Sequence, residues 1–192
     1  MKYTEFLQTK QKTHVLSGFE VNETDLNTNL FPFQKFIVKR ALKAGKYAIF
    51  ADCGLGKTLM QLEWAYRVSK KTKKRVIILA PLVVVEQTKR EAIKFNIDID
   101  LVDADNYEQL NNIDTSIYGG VVLDESSILK NFEGETKKLI LDRFISTPYK
   151  LACTATPSPN DPMELGNHSE FLDVMSRNEM LAMYFVHDGG EN

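Results

Sequence analysis

YAIFADCGLGKTLMQLEWA, residues 47–65, joins three local structures without a spacer. The short apolar run 47–51 has strand composition, Gly54 and Gly56 mark a loop, and TLMQLEWA has helical spacing. A strand, a glycine loop and a helix in this order are the context that a phosphate-binding loop requires. The glycines let the backbone curl so that successive N–H groups face one point, and the helix N-terminus adds partial positive charge there. Lys57 is placed to reach the β- and γ-phosphates of ATP, and the Thr58 hydroxyl to bind magnesium. Gly54, Leu55, Gly56, Lys57 and Thr58 are therefore the candidate ATP ligands. Ala51 stands at the first position, where the general pattern has glycine, yet the Gly-Lys-Thr core is intact. An ordinary glycine turn before a helix would have no need of Lys-Thr.

Outward from this stretch, apolar runs recur at 75–81 (RVIILAP), 98–104 (DIDLVDA), 119–125 (GGVVLDE) and 150–156 (KLACTAT). Near-continuous apolar runs of this length predict strands of a parallel sheet buried on both faces. The segments 58–69, 84–95 and 133–145 between them have helical length and spacing. Such alternation predicts an α/β fold of three layers with a mainly parallel sheet. Beyond Pro157 the pattern changes, Pro159 and Pro162 break the chain, and the remainder reads as short helices.

The run at 119–125 ends in two carboxylates, Asp124 and Glu125. A hydrolase with a phosphate loop needs a second group, at the end of a neighbouring buried strand, that holds the metal and orients water. Asp124 is placed to reach magnesium and Glu125 to act as general base on the attacking water. An acidic pair alone is common at helix starts; its position two βα units after a phosphate loop gives it meaning.

Bulk composition bounds the rest. A chain of 192 residues with 43% hydrophobic composition supports one well-buried domain. Cys53 and Cys153 lack the spacing of a zinc site or a disulfide framework, so reduced thiols and a cytoplasmic setting are expected. No apolar stretch approaches membrane-spanning length, so no membrane partner is expected. The net charge of -2 offers no global basic surplus for a polyanion, and the dense run Lys70, Lys71, Lys73, Lys74, Arg75 reads as a solvated helix end. Trp64 is expected in the core, and no role is given to His14, His168 or His187.

Four more segments complete a recognisable order: FPFQ at 31–34, LAPL at 79–82, NYE at 106–108 and TATP at 154–157. Together with ADCGLGKT and LDESS they resemble the N-terminal RecA-like ATPase domain of superfamily 2 helicases, nearest to the Swi/Snf-like translocases, over about residues 30–160. The segment from Pro162 onward looks like the phage-encoded members, which would place the protein in a host cytoplasm. The resemblance implies a RecA-like P-loop NTPase domain at 30–160, an N-terminal extension at 1–29, and a helical extension at 161–192 that stops before a second RecA-like domain.

It also implies roles for further residues. Gln34 would bond the adenine edge with a neighbouring aromatic such as Phe33 packed near the base, although Phe31, Phe33 and Phe36 read more readily as core residues at a helix start. Ala80 and Pro81 would touch a nucleic-acid backbone, DNA more than RNA, and Thr154, Ala155 and Thr156 would couple hydrolysis to that track. Asp124-Glu125 is followed by Ser126-Ser127 instead of the Ala-Asp or Ala-His of other box names, which leaves the subgroup open.

In such motors ATP lies between two RecA-like domains, and the second supplies arginine fingers. After Thr156 this sequence holds Arg177 as its one arginine, within a helical segment. A piece of a longer motor, able to bind ATP and poor at hydrolysing it alone, is the expectation. The alternative is a stand-alone, inactive nucleotide-binding module that acts through a partner chain. A small-molecule kinase fits less well, because Glu125 beside Asp124 is a water-activating arrangement and TATP lies where a coupling segment would.

Overall fold

In the computed structural model, which describes residues 16–130 and 134–185, the apolar runs become five strands. They are β1 (Lys46–Phe50), β2 (Arg75–Ala80), β3 (Val102–Asn106), β4 (Tyr118–Asp124) and β5 (Tyr149–Thr154). All neighbours pair in parallel, in the order β1-β5-β4-β2-β3. Helix α1 (Pro32–Ala44) precedes β1, helices α2 (Lys57–Thr72), α3 (Leu82–Lys94) and α4 (Glu135–Arg143) lie between strands, and the short helices α5 (Leu165–Phe171) and α6 (Arg177–Tyr184) follow β5.

Strand side chains alternate between faces, so each central strand feeds two cores. Val76, Ile78, Val122, Leu151 and Cys153 join Val38 and Leu42 of α1, Leu62, Trp64 and Val68 of α2, and Ala92 of α3. Ile77, Leu79, Val121, Leu123 and Ala152 join Leu129, Ile140 and Phe144, together with Phe171 of α5. Each fully buried aliphatic side chain stabilises by about 1.5–3 kcal/mol, so the three inner strands hold the two layers of helices on the sheet. Trp64 is fully buried, as expected. The N-terminal segment also packs here: Phe19 N–H donates to the Leu42 carbonyl at 3.0 Å, and Leu26 and Leu30 are core residues.

Two expectations need correction. The third strand does not begin at residue 98: Asp98 starts a turn, its carboxylate accepting from Asp100 N–H at 2.9 Å and its carbonyl from Leu101 N–H at 3.1 Å. An Asp that bonds the backbone two residues on competes with the ladder and delays strand entry to Val102. Phe31, Phe33 and Phe36 are not core: they are 64%, 46% and 65% exposed. Helix α1 buries the stripe Gln34, Val38, Ala41 and Leu42, spaced by four, three and one, and that register turns the phenylalanines outward. Phe31 and Phe33 stack on each other, ring centroids 6.2 Å apart.

Candidate active site

The loop after β1 leaves the C-terminal edge of the sheet, where Ala51 N–H donates to the Thr154 carbonyl at 3.2 Å. Gly54 and Gly56 have φ of 81° and 75°, left-handed values that penalise any residue with a Cβ by about 1–2 kcal/mol. At Gly56 space is closed as well, since a Cβ would lie 2.4 Å from Gln34 Nε2. At Gly54 a Cβ would meet nothing within 4 Å, so the loop borders open space there. Lys57 is the first residue of α2, and its Nζ donates to the carbonyls of Ala51 (2.9 Å) and Asp52 (3.3 Å), which places the ammonium inside the curl of the loop.

Gln34 braces this loop from below. Its Nε2 donates to the Leu55 carbonyl at 2.8 Å and its Oε1 accepts from Phe31 N–H at 2.8 Å, with the side chain buried. The amide therefore fixes the helix start and the phosphate loop relative to each other.

Asp124 ends β4 and is 5% exposed. Its Oδ1 accepts from Gln61 Nε2 at 2.7 Å and from Glu125 N–H at 3.1 Å. Both bonds fall on one oxygen, so the other oxygen is the one available to a cation. Among the described residues no cluster of three or more His, Cys, Asp or Glu side chains is arranged to hold a metal. A single carboxylate and a hydroxyl fit magnesium, which keeps waters and shares its remaining positions with substrate phosphates. Tyr107 donates its hydroxyl to the Asp124 carbonyl at 2.6 Å and locks the strand end; burial pushes its phenol well above the usual range. Glu125 lies just past the strand with Oε2 accepting from Thr154 Oγ1 at 3.3 Å, and Thr154 Oγ1 in turn accepts from Thr156 N–H at 3.1 Å.

Burial raises the Asp124 carboxyl above its ordinary value, opposed by the Gln61 hydrogen bond and aggravated by Glu125. A folded-state value above the unfolded one means that ionised Asp124 weakens the fold, fully so above the raised pKa and not at all below the ordinary one. Asp124→Asn keeps the shape and removes the charge. We expect it to melt above wild type at about pH 8, with the gap closing as pH falls toward about 4. Thermal melts across pH check this; a gap that widens on acidification, or a lower melting point at alkaline pH, contradicts it.

Of the residues singled out in the sequence, Lys57, Leu55, Gln34, Asp124, Glu125, Thr154 and Thr156 meet along one edge of the sheet. Thr58 follows Lys57 on the first turn of α2. Ala155 is half-buried between the two threonines. Ala80 and Pro81 lie at the same edge at the end of β2, with Ala80 fully buried and Pro81 capping α3. The lysine run is the exposed C-terminus of α2, apart from Arg75, which opens β2 and pairs with Asp103.

Two partners of the site stand outside the sequence motifs: Gln61, and the pairing of Ser126 with His168. Gln61 had a local signal: it lies one helical turn after Lys57, on the face that packs against β4. Ser126 Oγ and His168 Nε2 share a 3.0 Å hydrogen bond across 42 residues, a separation that no local pattern encodes.

Known proteins share the family and the fold. The model of the family described as "Type III restriction enzyme, res subunit" matches residues 27–145, more than half of the chain. No curated protein matches in sequence. Among solved structures, the Sulfolobus solfataricus SWI2/SNF2 ATPase core in complex with dsDNA superposes with a TM-score of 0.72 at 21% identity, covering 91% of this chain and 43% of that one. The Sulfolobus solfataricus SWI2/SNF2 ATPase core domain gives 0.68 at 21% identity, covering 94% and 43%. The UvsW helicase from bacteriophage T4 gives 0.62 at 12% identity, covering 92% and 66%. The present chain thus spans less than half the length of the Sulfolobus chains. Among the described residues no helix is long and apolar enough to cross a membrane.

Proposed function

We propose that this chain, which belongs to the type III restriction enzyme res-subunit family and has the RecA-like fold of a superfamily 2 helicase domain, is the ATP-binding half of a nucleic-acid-dependent ATPase. The observation that supports this most is that one helix, α2, sets Lys57 in the phosphate loop and, one turn on, Gln61 against Asp124, while Glu125 reaches Thr154. The loop N–H groups and Lys57 would bind the β- and γ-phosphates. Thr58 and Asp124 would hold magnesium, which when bound neutralises charge that develops on the phosphates. Glu125 would orient and deprotonate the attacking water. Gln34 would read the adenine edge from a position fixed by its bonds to Phe31 N–H and the Leu55 carbonyl.

Thr154 is bonded to Glu125 and, through its backbone, to the phosphate loop, so a nucleic-acid contact at Thr156 would be felt at the hydrolysis site, and Pro81 would offer a second backbone contact. The catalytic arginines would come from a second RecA-like domain, in cis or in trans, and DNA is the expected track. A host or other cytoplasm is the expected setting. ATP hydrolysis by the full reading frame, measured without nucleic acid and with single-stranded DNA, duplex DNA and RNA, tests this. Turnover should rise with DNA above that with RNA. ATP binding without turnover under any condition would favour the stand-alone module, and an absence of ATP binding would sink the reading.

A further inference from the structure

Glu125 has a φ of 51°, in the left-handed region although it is not glycine. Such a residue persists only when its surroundings over-determine it, at a penalty of about 1–3 kcal/mol. On the upstream side the constraint is plain: β4 is paired on both sides, and Gln61 and Tyr107 fix Asp124. On the downstream side the turn Ser126–Lys130 is held by α5 through buried polar groups. Asn167 Nδ2 donates to the carbonyls of Leu129 (2.8 Å) and Lys130 (3.2 Å), and its Oδ1 accepts from Lys137 Nζ at 3.0 Å. His168 Nε2 meets Ser126 Oγ, and the imidazole stands edge-on to Phe50, centroids 5.3 Å apart with the rings at 85°. Ser126, Asn167, His168 and Lys137 are each 3% exposed or less.

Buried hydrogen bonds are directional and costly to leave unmade, so they fix position where an apolar contact would let the turn slide. Phe50 is the last residue of the strand that launches the phosphate loop, and Ser126 directly follows Glu125. One face of α5 therefore spans the two halves of the site. We propose that Asn167 and His168 are positioning residues that hold the Ser126–Lys130 turn and so aim Glu125 at the site of the attacking water. The proposal rests on the reading of Glu125 as general base. Neither residue touches the reacting atoms; both act through the backbone of the turn. Burial keeps His168 below its ordinary pKa and thus neutral, the form in which Nε2 and the serine hydroxyl make one bond without stranding a charge.

The test compares His168→Ala and Asn167→Ala with wild type in the whole protein, by amide hydrogen exchange and by ATP turnover with DNA. Exchange should accelerate over residues 125–130 while the β4 amides stay protected. The kcat should fall by about tenfold to a hundredfold, the loss expected of a misplaced catalytic group, with KM for ATP nearly unchanged. His168→Gln, whose amide nitrogen reaches the place of Nε2, should recover part of the loss. Should the alanine variants fail to fold, Ser126→Ala deletes a single hydroxyl and is expected to show the same split. Wild-type exchange over 125–130, or wild-type kcat per folded molecule, overturns the proposal. A wild-type protein that binds no ATP defeats the phosphate-site reading alone, and the exchange measurement still decides whether α5 holds the turn.

Discussion

Glu125→Gln should leave ATP bound and lower its turnover by about a hundredfold to ten-thousandfold, the range for loss of a positioned general base. The substitution is close to isosteric. Glutamine keeps an oxygen to accept from Thr154 Oγ1, now at 3.3 Å from Glu125 Oε2, and has no worse a backbone preference at φ 51°. The bonds that fix Asp124 come from Gln61, Tyr107 and the residue-125 amide, none of which changes. Basicity is lost, together with a charge whose repulsion of Asp124 is smaller than the effect of burial. Nucleotide affinity and melting temperature should therefore equal or slightly exceed those of wild type, while single-turnover hydrolysis by the whole protein with DNA present collapses. Turnover within about twofold of wild type would remove Glu125 from the base role.

Lys57→Ala should weaken ATP binding by about tenfold to a hundredfold, since a hydrogen bond from a charged donor is worth about 1.5–3 kcal/mol. The lysine does no core packing: it is the first residue of α2, half-buried, and its contacts are with two loop carbonyls. Truncation leaves the two sheet cores untouched, so circular dichroism and the thermal melt should change little. Titration with a fluorescent ATP analogue gives the affinity directly. Unchanged affinity would refute the assignment of the phosphate loop, whatever the hydrolysis rate.

Much of the site is legible in local sequence. The glycines at 54 and 56 are demanded by φ values that residue type alone anticipates, and the apolar run ahead of Asp124 and Glu125 marks a strand end. The misread phenylalanines show where local pattern stops. Three aromatics near a helix start look like core, yet the register is set by which stripe of α1 meets the sheet, and that stripe begins at Gln34. The third strand fails for a related reason. As an edge strand, β3 tolerates Asp103 and Asp105 facing partly outward, so its apolar signal is weak and its start is hidden behind the Asp98 turn.

The phosphate loop itself is a local object. Sequence alone determined that residues 47–65 form strand, loop and helix, because the glycine conformations and the helix N-terminus follow from residues adjacent in the chain. What stands opposite the loop was decided by tertiary structure. The strand order places β5 between β1 and β4, and so Thr154 between the loop and the acidic pair; the packing of α2 on β4 brings Gln61 to Asp124. Non-local hydrogen bonds such as Ser126 to His168 arise only when the apolar faces of the sheet choose their covering helices, a choice made by burial over the whole chain.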